Sequence, residues 1–353
     1  MHPRYRQLIE HLSPADFAIV MATGIVSIAA YNAHYNFIAK SLFFLNNALY
    51  LLVWLLTILR LCFYPRQLWA DLDSHANGLG FLSLVAATNV LAVQYVLLYQ
   101  NHYVATILWV LGIIWWVILT YLIFSLLTIK EKKPNLAQGI NGAWLLAIVA
   151  TQSIAILTTF ILPYFSAEYH TELSFFAISM WLWGGMQYIW MMTLIFWRYN
   201  FVHMGPDELT PPYWINMGAM AISTLAGSLL IQHAPDAPYL QSLMPFLKGF
   251  TVFFWASATW WIPLLLILGF WRHFIKRYPV RYTPLFWGLV FPMGMYSVAT
   301  RQLNLAMQFD FLDSLAQTFM YAALVSWVIT FYGLLHKAAH WLKPQGEKQH
   351  QRH

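Results

Sequence analysis

A bulky aromatic residue beside a proline, inside an apolar run, is the feature of this sequence with the clearest functional chemistry. Phe291 and Pro292 lie in the run WGLVFPMG at residues 287–294, between Gly288 and Gly294. Proline deprives the carbonyl four residues earlier of its helical donor, and hydrocarbon offers no replacement, so the segment is expected to face protein or a water-filled cavity. A large ring among residues too small to fill space can obstruct such a passage.

Two interpretations of this run stay open at the level of the local pattern. In the first, Phe291 is the gate of a pore and Pro292 sets a kink that positions it. In the second, Phe291 is ordinary packing and Pro292 is an ordinary membrane-helix kink, since both residue types are common in such helices. The elements that surround the run must decide between them.

The composition requires a membrane protein. Of 353 residues, 60% are hydrophobic and 9% are charged, whereas soluble domains carry about 25% charged residues. A span needs about 20 apolar residues, and continuous apolar runs that contain Gly and Pro indicate helices rather than a membrane barrel. We therefore predict an all-α polytopic fold with ten spans. They run approximately over residues 15–34, 38–62, 78–100, 102–129, 140–164, 172–198, 213–233, 239–271, 282–303 and 313–342.

The basic residues predict the orientation of these spans. They cluster before the first span and after the even-numbered spans, so the positive-inside rule places both termini in the cytoplasm and pairs the spans as five hairpins. We predict one transport domain over residues 1–353 in the inner (plasma) membrane, with cytoplasmic segments at about 1–14 and 343–353. The net charge of +6 follows from this bias and does not indicate nucleic-acid binding. The basic tail is better explained by contact with the lipid bilayer.

Odd- and even-numbered spans differ in composition. The odd spans have small, mildly polar middles, such as residues 22–24 and 216–219, whereas the even spans carry most of the tryptophans. One interpretation is an inner ring of five slim helices around a central pore, with five bulky helices outside; the other is the tightly packed interior of a bundle. Under the first, the candidate pore-lining residues are Thr23, Gly24, Ser27, Thr88, Asn89, Thr151, Asn216, Thr224, Gly288 and Gly294.

Ionisable residues are nearly absent from the middles of the spans, which argues against a buried proton relay. No His, Cys, Asp or Glu spacing resembles a zinc or nucleophile site, so we expect no enzyme activity, no metal and no cofactor. Arg301 ends the ninth span, and it either attracts anions to the outer mouth or pairs with Asp310 or Asp313. A polar lumen without acidic rings and with bases at its ends favours anions as cargo.

Two segments resemble signatures of the tellurite-resistance/dicarboxylate transporter family. Residues 17–27, FAIVMATGIVS, resemble its first-span signature, and residues 286–294, FWGLVFPMG, resemble its ninth-span signature. This family includes bacterial TehA, fungal malate permeases, sulfite efflux pumps and plant slow anion channels. The resemblance implies a quasi-five-fold inner ring, a homotrimer and a narrow pore occluded by a phenylalanine, here Phe291. Ala22 departs from the glycine that is frequent in the first signature.

These observations predict transport of small anions or dicarboxylates by channel-like or facilitated permeation through a phenylalanine-gated pore, with Arg301 raising the local anion concentration. The main alternative is a proton-coupled carrier for malate, other C4 dicarboxylates or sulfite, which the resemblance also permits. Coupling would then use Asp16, at the start of the first span, or a protonated substrate.

Overall fold

The computed structural model describes Arg6 and residues 9–342, and every regular element within that part of the chain is helical. The prediction of an all-α fold is therefore confirmed. The predicted tail at 343–353 lies outside the described residues. Ten helices of 15 residues or more are labelled here α1 to α10. Their bounds are Ala18–Asn32, Asn36–Phe63, Ser83–Tyr99, His102–Ile129, Leu146–Ile161, His170–Phe201, Ile215–Gln232, Met244–Phe270, Trp287–Met307 and Asp313–Leu342.

The length and hydropathy of these helices are those of a multi-pass membrane protein. In the described residues, seven helical segments are long and apolar enough to cross a membrane; they contain α2, α3, α4, α5, α7, α8 and α10. Helix α1 is apolar but has only 15 residues. Helices α6 and α9 are longer but contain many aromatic, glycine and polar residues. Membrane crossing by all ten helices, as five hairpins, stays a prediction.

The odd-numbered helices contact one another in a closed cycle. Helix α1 packs against α3, α3 against α5, α5 against α7, α7 against α9, and α9 returns to α1. Each even-numbered helix packs against the two odd-numbered helices that flank it in this cycle, and α10 joins α9 to α1. In the described part of the chain, the long helices therefore form an inner ring of five and an outer layer of five.

Burial separates the two layers. Every residue of α7 from Ile215 to Ile231 is buried, so this inner helix has no exposed stripe. The outer helices instead expose large apolar side chains, such as Leu51 and Leu55 of α2, as lipid-facing helices do. Not every tryptophan of the outer helices faces lipid, because Trp181 is fully buried and Trp261 is nearly so. Part of the aromatic bulk thus packs against the ring.

Outer-helix tryptophans are hydrogen bonded to inner-helix threonines. In each case the indole N–H donates to the threonine hydroxyl, so two polar groups are satisfied in a place where water cannot reach them. These bonds join α4 to α5, α8 to α9 and α10 to α1. The pairs are Trp109 with Thr158 and Trp116 with Thr151, both at 2.9 Å, Trp255 with Thr300 at 3.1 Å, and Trp327 with Thr23 at 3.0 Å.

Cations at the carboxyl ends of three outer helices bind the connecting segments. Arg60 of α2 pairs with Asp71, Lys130 after α4 pairs with Asp73, and Arg198 of α6 pairs with Glu208. A cation at a helix carboxyl terminus also interacts favourably with the helix dipole. These pairs hold the loops at the end of the molecule that the charge distribution predicts to be cytoplasmic.

Candidate functional site

A narrow cavity lies inside the inner ring, toward the carboxyl ends of its helices. All five odd-numbered helices contribute side chains to its wall. The room left for the centres of water molecules is about 30 Å³, which corresponds to about two or three waters. The wall is mainly aliphatic and contains no charged side chain among the described residues. Its polar members are Asn32, Asn89, Ser153 and Gln302.

Phe291 lies on the side of α9 that faces this cavity. Met295, Val298 and Gln302 of α9 border the cavity, and Phe291 precedes them by four, seven and eleven residues, so all four occupy one helical face. One helical turn, about 6 Å, separates Phe291 from Met295. The Phe291 side chain is 1% exposed. Its ring therefore lies one helical turn beyond the cavity, toward the amino ends of the inner helices.

Pro292 packs directly against α7. Helix α9 is continuous through the proline, and a Cβ added at Gly218 of α7 would lie 2.8 Å from Pro292 Cγ. On the other side of the turn, a Cβ added at Gly294 would lie 2.9 Å from Cγ2 of Ile25 in α1. The two glycines allow α9 to approach both neighbours closely. The segment that carries Phe291 is thus wedged between α1 and α7.

Gly218 was not among the predicted site residues, although its position carries a signal. It precedes Ile222 and Leu225, which border the cavity, by four and seven residues, so all three lie on one face of α7. The other predicted glycines also lie at helix contacts. An added Cβ at Gly24 would be 2.5 Å from Val90, and at Gly288 it would be 3.3 Å from the backbone of Pro212.

Most of the predicted polar lining residues point to the outer layer. Thr23 and Thr151 accept hydrogen bonds from outer-layer tryptophans. The remaining contacts are those of Ser27 with the Ala39 carbonyl at 2.7 Å, Thr88 with the Tyr50 hydroxyl at 2.9 Å, and Asn216 with the Tyr199 hydroxyl at 3.1 Å. These five residues thus take part in packing between the layers, and their role as pore lining stays a prediction. Thr224 donates to the Met220 carbonyl of its own helix.

Asn89 is the predicted lining residue that borders the cavity. Its Nδ2 donates to Ser153 Oγ of α5 at 2.9 Å. Its Oδ1 lies against Gly112 of α4, where an added Cβ would be only 2.2 Å away. Asn32 and Gln302, which border the cavity toward the carboxyl ends of α1 and α9, were not predicted. Both follow the helical spacing of the cavity residues. Asn32 comes four residues after Ile28 on α1, and Gln302 comes four residues after Val298 on α9.

Arg301 immediately precedes the cavity residue Gln302. Within the described residues it has no carboxylate within salt-bridge distance, and Asp313 instead accepts from Asn304 Nδ2 at 2.9 Å. Pairing with Asp310 or Asp313, the alternative left open by the sequence, is therefore not formed. The Arg301 side chain is half-buried, and its predicted role in attracting anions stays a prediction.

Asp16 lies in the turn before α1, at the opposite end of the ring. Burial raises the pKa of its carboxyl to about 6, against the opposing effects of the Ser13 N–H and of the nearby charges on Arg60 and Lys337. The Ser13 N–H donates to Asp16 Oδ2 at 3.0 Å. Asp16 is thus a carboxyl that is protonated more readily than a solvent-exposed aspartate.

Comparison with known proteins gives matches over most of the chain. Residues 11–335 match the voltage-dependent anion channel family. An uncharacterized membrane protein of Mycobacterium tuberculosis is 37% identical over 163 residues, which is 46% of this chain and 82% of that protein. An uncharacterized transporter of Methanocaldococcus jannaschii is 24% identical over 334 residues, covering 93% and 95%. The sulfite efflux pump of Arthroderma benhamiae is 25% identical over 354 residues, covering 94% and 92%.

Proposed function

The chain belongs to the voltage-dependent anion channel family, and from that premise we propose that it conducts small anions or dicarboxylates through a central pore that Phe291 closes. Its relatives include proteins named as transporters and as a sulfite efflux pump. The transported ions then pass along the axis of the inner ring, and no chemical bond is made or broken.

The observation that carries this proposal is the alignment of Phe291 with the central cavity. All five inner helices border that cavity, and Phe291 continues the face of α9 that carries Met295, Val298 and Gln302. A ring that is fully buried one turn beyond a cavity of this size is well placed to end it. Ordinary packing would not require the phenylalanine to share a face with cavity residues.

The mode of opening follows from how α9 is held. Close contacts of Pro292 with Gly218, and of Gly294 with Ile25, leave α9 little room to move relative to its neighbours. We therefore expect the pore to open by rotation of the Phe291 side chain, with the helix axis in place. Side-chain rotation is also faster than the displacement of a packed helix.

The larger assembly belongs to the same proposal. All ten long helices cross the inner membrane as five hairpins, with both termini in the cytoplasm, as the distribution of basic residues predicts. Three copies form a homotrimer, as the family resemblance implies, and each copy has its own pore. Arg301 then lies at the outer mouth, where it concentrates anions.

The gate is tested by anion flux in liposomes containing purified Phe291→Ala protein. Removing the ring should raise basal chloride and nitrate flux by about tenfold or more, which corresponds to a barrier lowered by about 1.4 kcal/mol. Phe254→Ala is the matched control, because Phe254 is an equally buried phenylalanine that packs near Gly185 in the outer layer. Phe254→Leu replaces it if the alanine variant does not fold.

The control should lose stability without gaining flux. Folding of each variant is checked by its monodispersity and its unfolding temperature in detergent. Unchanged flux in folded Phe291→Ala protein contradicts the gate, and equal increases in both variants would attribute the flux to general loosening of the bundle.

A proton-coupled carrier is the second candidate, and two observations favour it. One relative is a sulfite efflux pump, and Asp16 has a pKa of about 6 at the inner end of the ring. Flux of sulfite and malate is therefore measured with and without a pH gradient. Coupling through Asp16 predicts that a gradient drives uptake in the wild type and that Asp16→Asn abolishes this drive. If sulfite and malate flux do not depend on the pH gradient, proton coupling is wrong and the channel remains the proposed function.

A further inference from the structure

A second, wider pocket opens between the segment before α9 and the carboxyl end of α10. It leaves about 450 Å³ for the centres of water molecules and is open to the surface. It lies at the end of the molecule that the charge distribution predicts to be cytoplasmic. We call it the basic pocket; its main residues are Arg281, Tyr282, Tyr332, His336, Lys337 and His340.

The wall of the basic pocket is formed by a tight contact between Tyr282 and α10. A Cβ added at Gly333 would lie 2.7 Å from Tyr282 Cδ2, so the tyrosine ring can approach the helix only because residue 333 is glycine. Lys337, one turn later on α10, has its ammonium group 6.0 Å from the centroid of the Tyr282 ring. The lysine ammonium is therefore at the limit of cation–π distance from the face of an aromatic ring.

Among the described residues the basic pocket has no acidic partner within salt-bridge distance, and the carboxyl of Asp16 interacts with Lys337 only at longer range. No Asp or Glu among the described residues borders it. Neither Arg281 nor Lys337 has a described carboxylate within salt-bridge distance, whereas Arg60, Lys130 and Arg198 each do. A converging arginine and lysine suit a phosphoryl group, because a guanidinium binds two of its oxygens and an ammonium adds a third contact.

The surface that leads to the pocket is apolar. On α10, Val328 is 56% exposed, Ile329 is 65% exposed and Leu335 is 53% exposed, and Val280 beside Arg281 is 70% exposed. A soluble phosphate would make no use of this surface, whereas the acyl chains of a phospholipid would cover it. Basic pockets between membrane helices on the cytoplasmic side are suited to anionic headgroups.

We propose that the basic pocket binds the phosphoryl headgroup of an anionic phospholipid whose acyl chains lie along the exposed side of α10. The headgroup contacts Arg281, which precedes α9, and Lys337, which belongs to α10, so it links the segment leading to Phe291 with the outer layer. This binding site does not depend on the transported ion or on the gate.

The test measures the unfolding temperature of the purified protein in detergent as lipid is added. A ligand that binds the folded state raises this temperature in a concentration-dependent way. The probes are phosphatidylglycerol, phosphatidylcholine and inorganic phosphate. The pocket variant is Arg281→Gln with Lys337→Gln. The control is Arg66→Gln with Lys132→Gln, which removes the same charges from exposed sites away from the pocket.

Phosphatidylglycerol should stabilise the wild type and the control saturably, and the pocket variant should require about 30-fold more lipid, as expected for the loss of two basic contacts. Phosphatidylcholine and inorganic phosphate should have little effect. Equal responses of the pocket and control variants would overturn the site. Saturable stabilisation by inorganic phosphate that is lost in the pocket variant would overturn the lipid assignment and identify a soluble phosphoryl ligand.

Discussion

The inner helices have two faces with opposite chemistry. Their outward faces carry most of the polar side chains, such as Thr23, Ser27 and Thr88, and these are hydrogen bonded to the outer layer. Their inward faces are mostly aliphatic around the central cavity, with Asn89 and Ser153 bonded to each other. Polarity is therefore concentrated at the seam between the layers.

This difference has a physical cause. Between helices in a membrane there is little hydrophobic driving force for association, so hydrogen bonds and close packing of small residues must supply it. A pore for anions needs the opposite on its inner wall, since strong partners would hold the ion in place. The outward faces should therefore govern stability, whereas the inward faces should govern flux, except where the inner helices touch one another.

The largest effect on stability is expected at one such contact, Gly218 against Pro292. The methyl group in Gly218→Ala would lie 2.8 Å from Pro292 Cγ, and overpacking of this kind costs about 2 kcal/mol. The unfolding temperature in detergent should therefore fall, because both helices are fixed by further contacts. If Gly218→Ala unfolds at the same temperature as the wild type, α7 and α9 can move apart at little energetic cost.

Gly249→Ala is the matched control for this substitution. It is also within a long helix, but nothing lies within 4 Å of its added Cβ. Alanine is favoured over glycine in a helix by about 1 kcal/mol, so the control should be as stable as the wild type or more stable. If both variants lose the same amount of stability, the contact with Pro292 is not the cause of the loss in Gly218→Ala.

A smaller effect is expected at the outward seam, for Thr23→Val and Trp327→Phe. Each substitution removes one partner of the 3.0 Å hydrogen bond between α1 and α10. A double-mutant cycle on unfolding free energy should give a coupling of about 0.6 kcal/mol, the average for hydrogen bonds between membrane helices. Anion flux should be unchanged, since Thr23 points away from the cavity. If flux changes and the double-mutant cycle shows no coupling energy, Thr23 is a pore-lining residue.

The sequence predicted the family, the helical class and the two kinds of helix. The helical class and the two kinds of helix follow from composition and from the differences between odd- and even-numbered spans, whereas the family was predicted from the resemblance of two segments. Membership of the voltage-dependent anion channel family confirms the resemblance drawn from residues 17–27 and 286–294. The motif also led to Phe291 and Pro292, whose roles as gate and kink stay predictions.

The sequence does not predict in which direction the side chains of the inner helices point. A helix such as α7 is buried on all sides, so no amphipathic stripe distinguishes its pore side from its seam side. Polar residues were assigned to the pore because the middles of the odd spans are small and mildly polar, and Asn89 alone of the predicted set borders the cavity. Gly218 and Gln302 become visible only when the register of the ring is known.

The smallest effect is expected for Arg301→Gln, and it tests whether the inward face ends in an attractive charge. Arg301 has no described acidic partner and adjoins Gln302 at the outer end of the cavity. Anion flux should fall about twofold at low ionic strength, where the Debye length is about 30 Å, and should match the wild type near 1 M salt, where it is about 3 Å. Lys248→Gln is the control, because Lys248 is exposed on the outer helix α8 and should leave flux unchanged. A loss of flux in Arg301→Gln that persists at high salt would mean that the guanidinium shapes the mouth through direct contacts, because salt screens the long-range attraction between its charge and the anions.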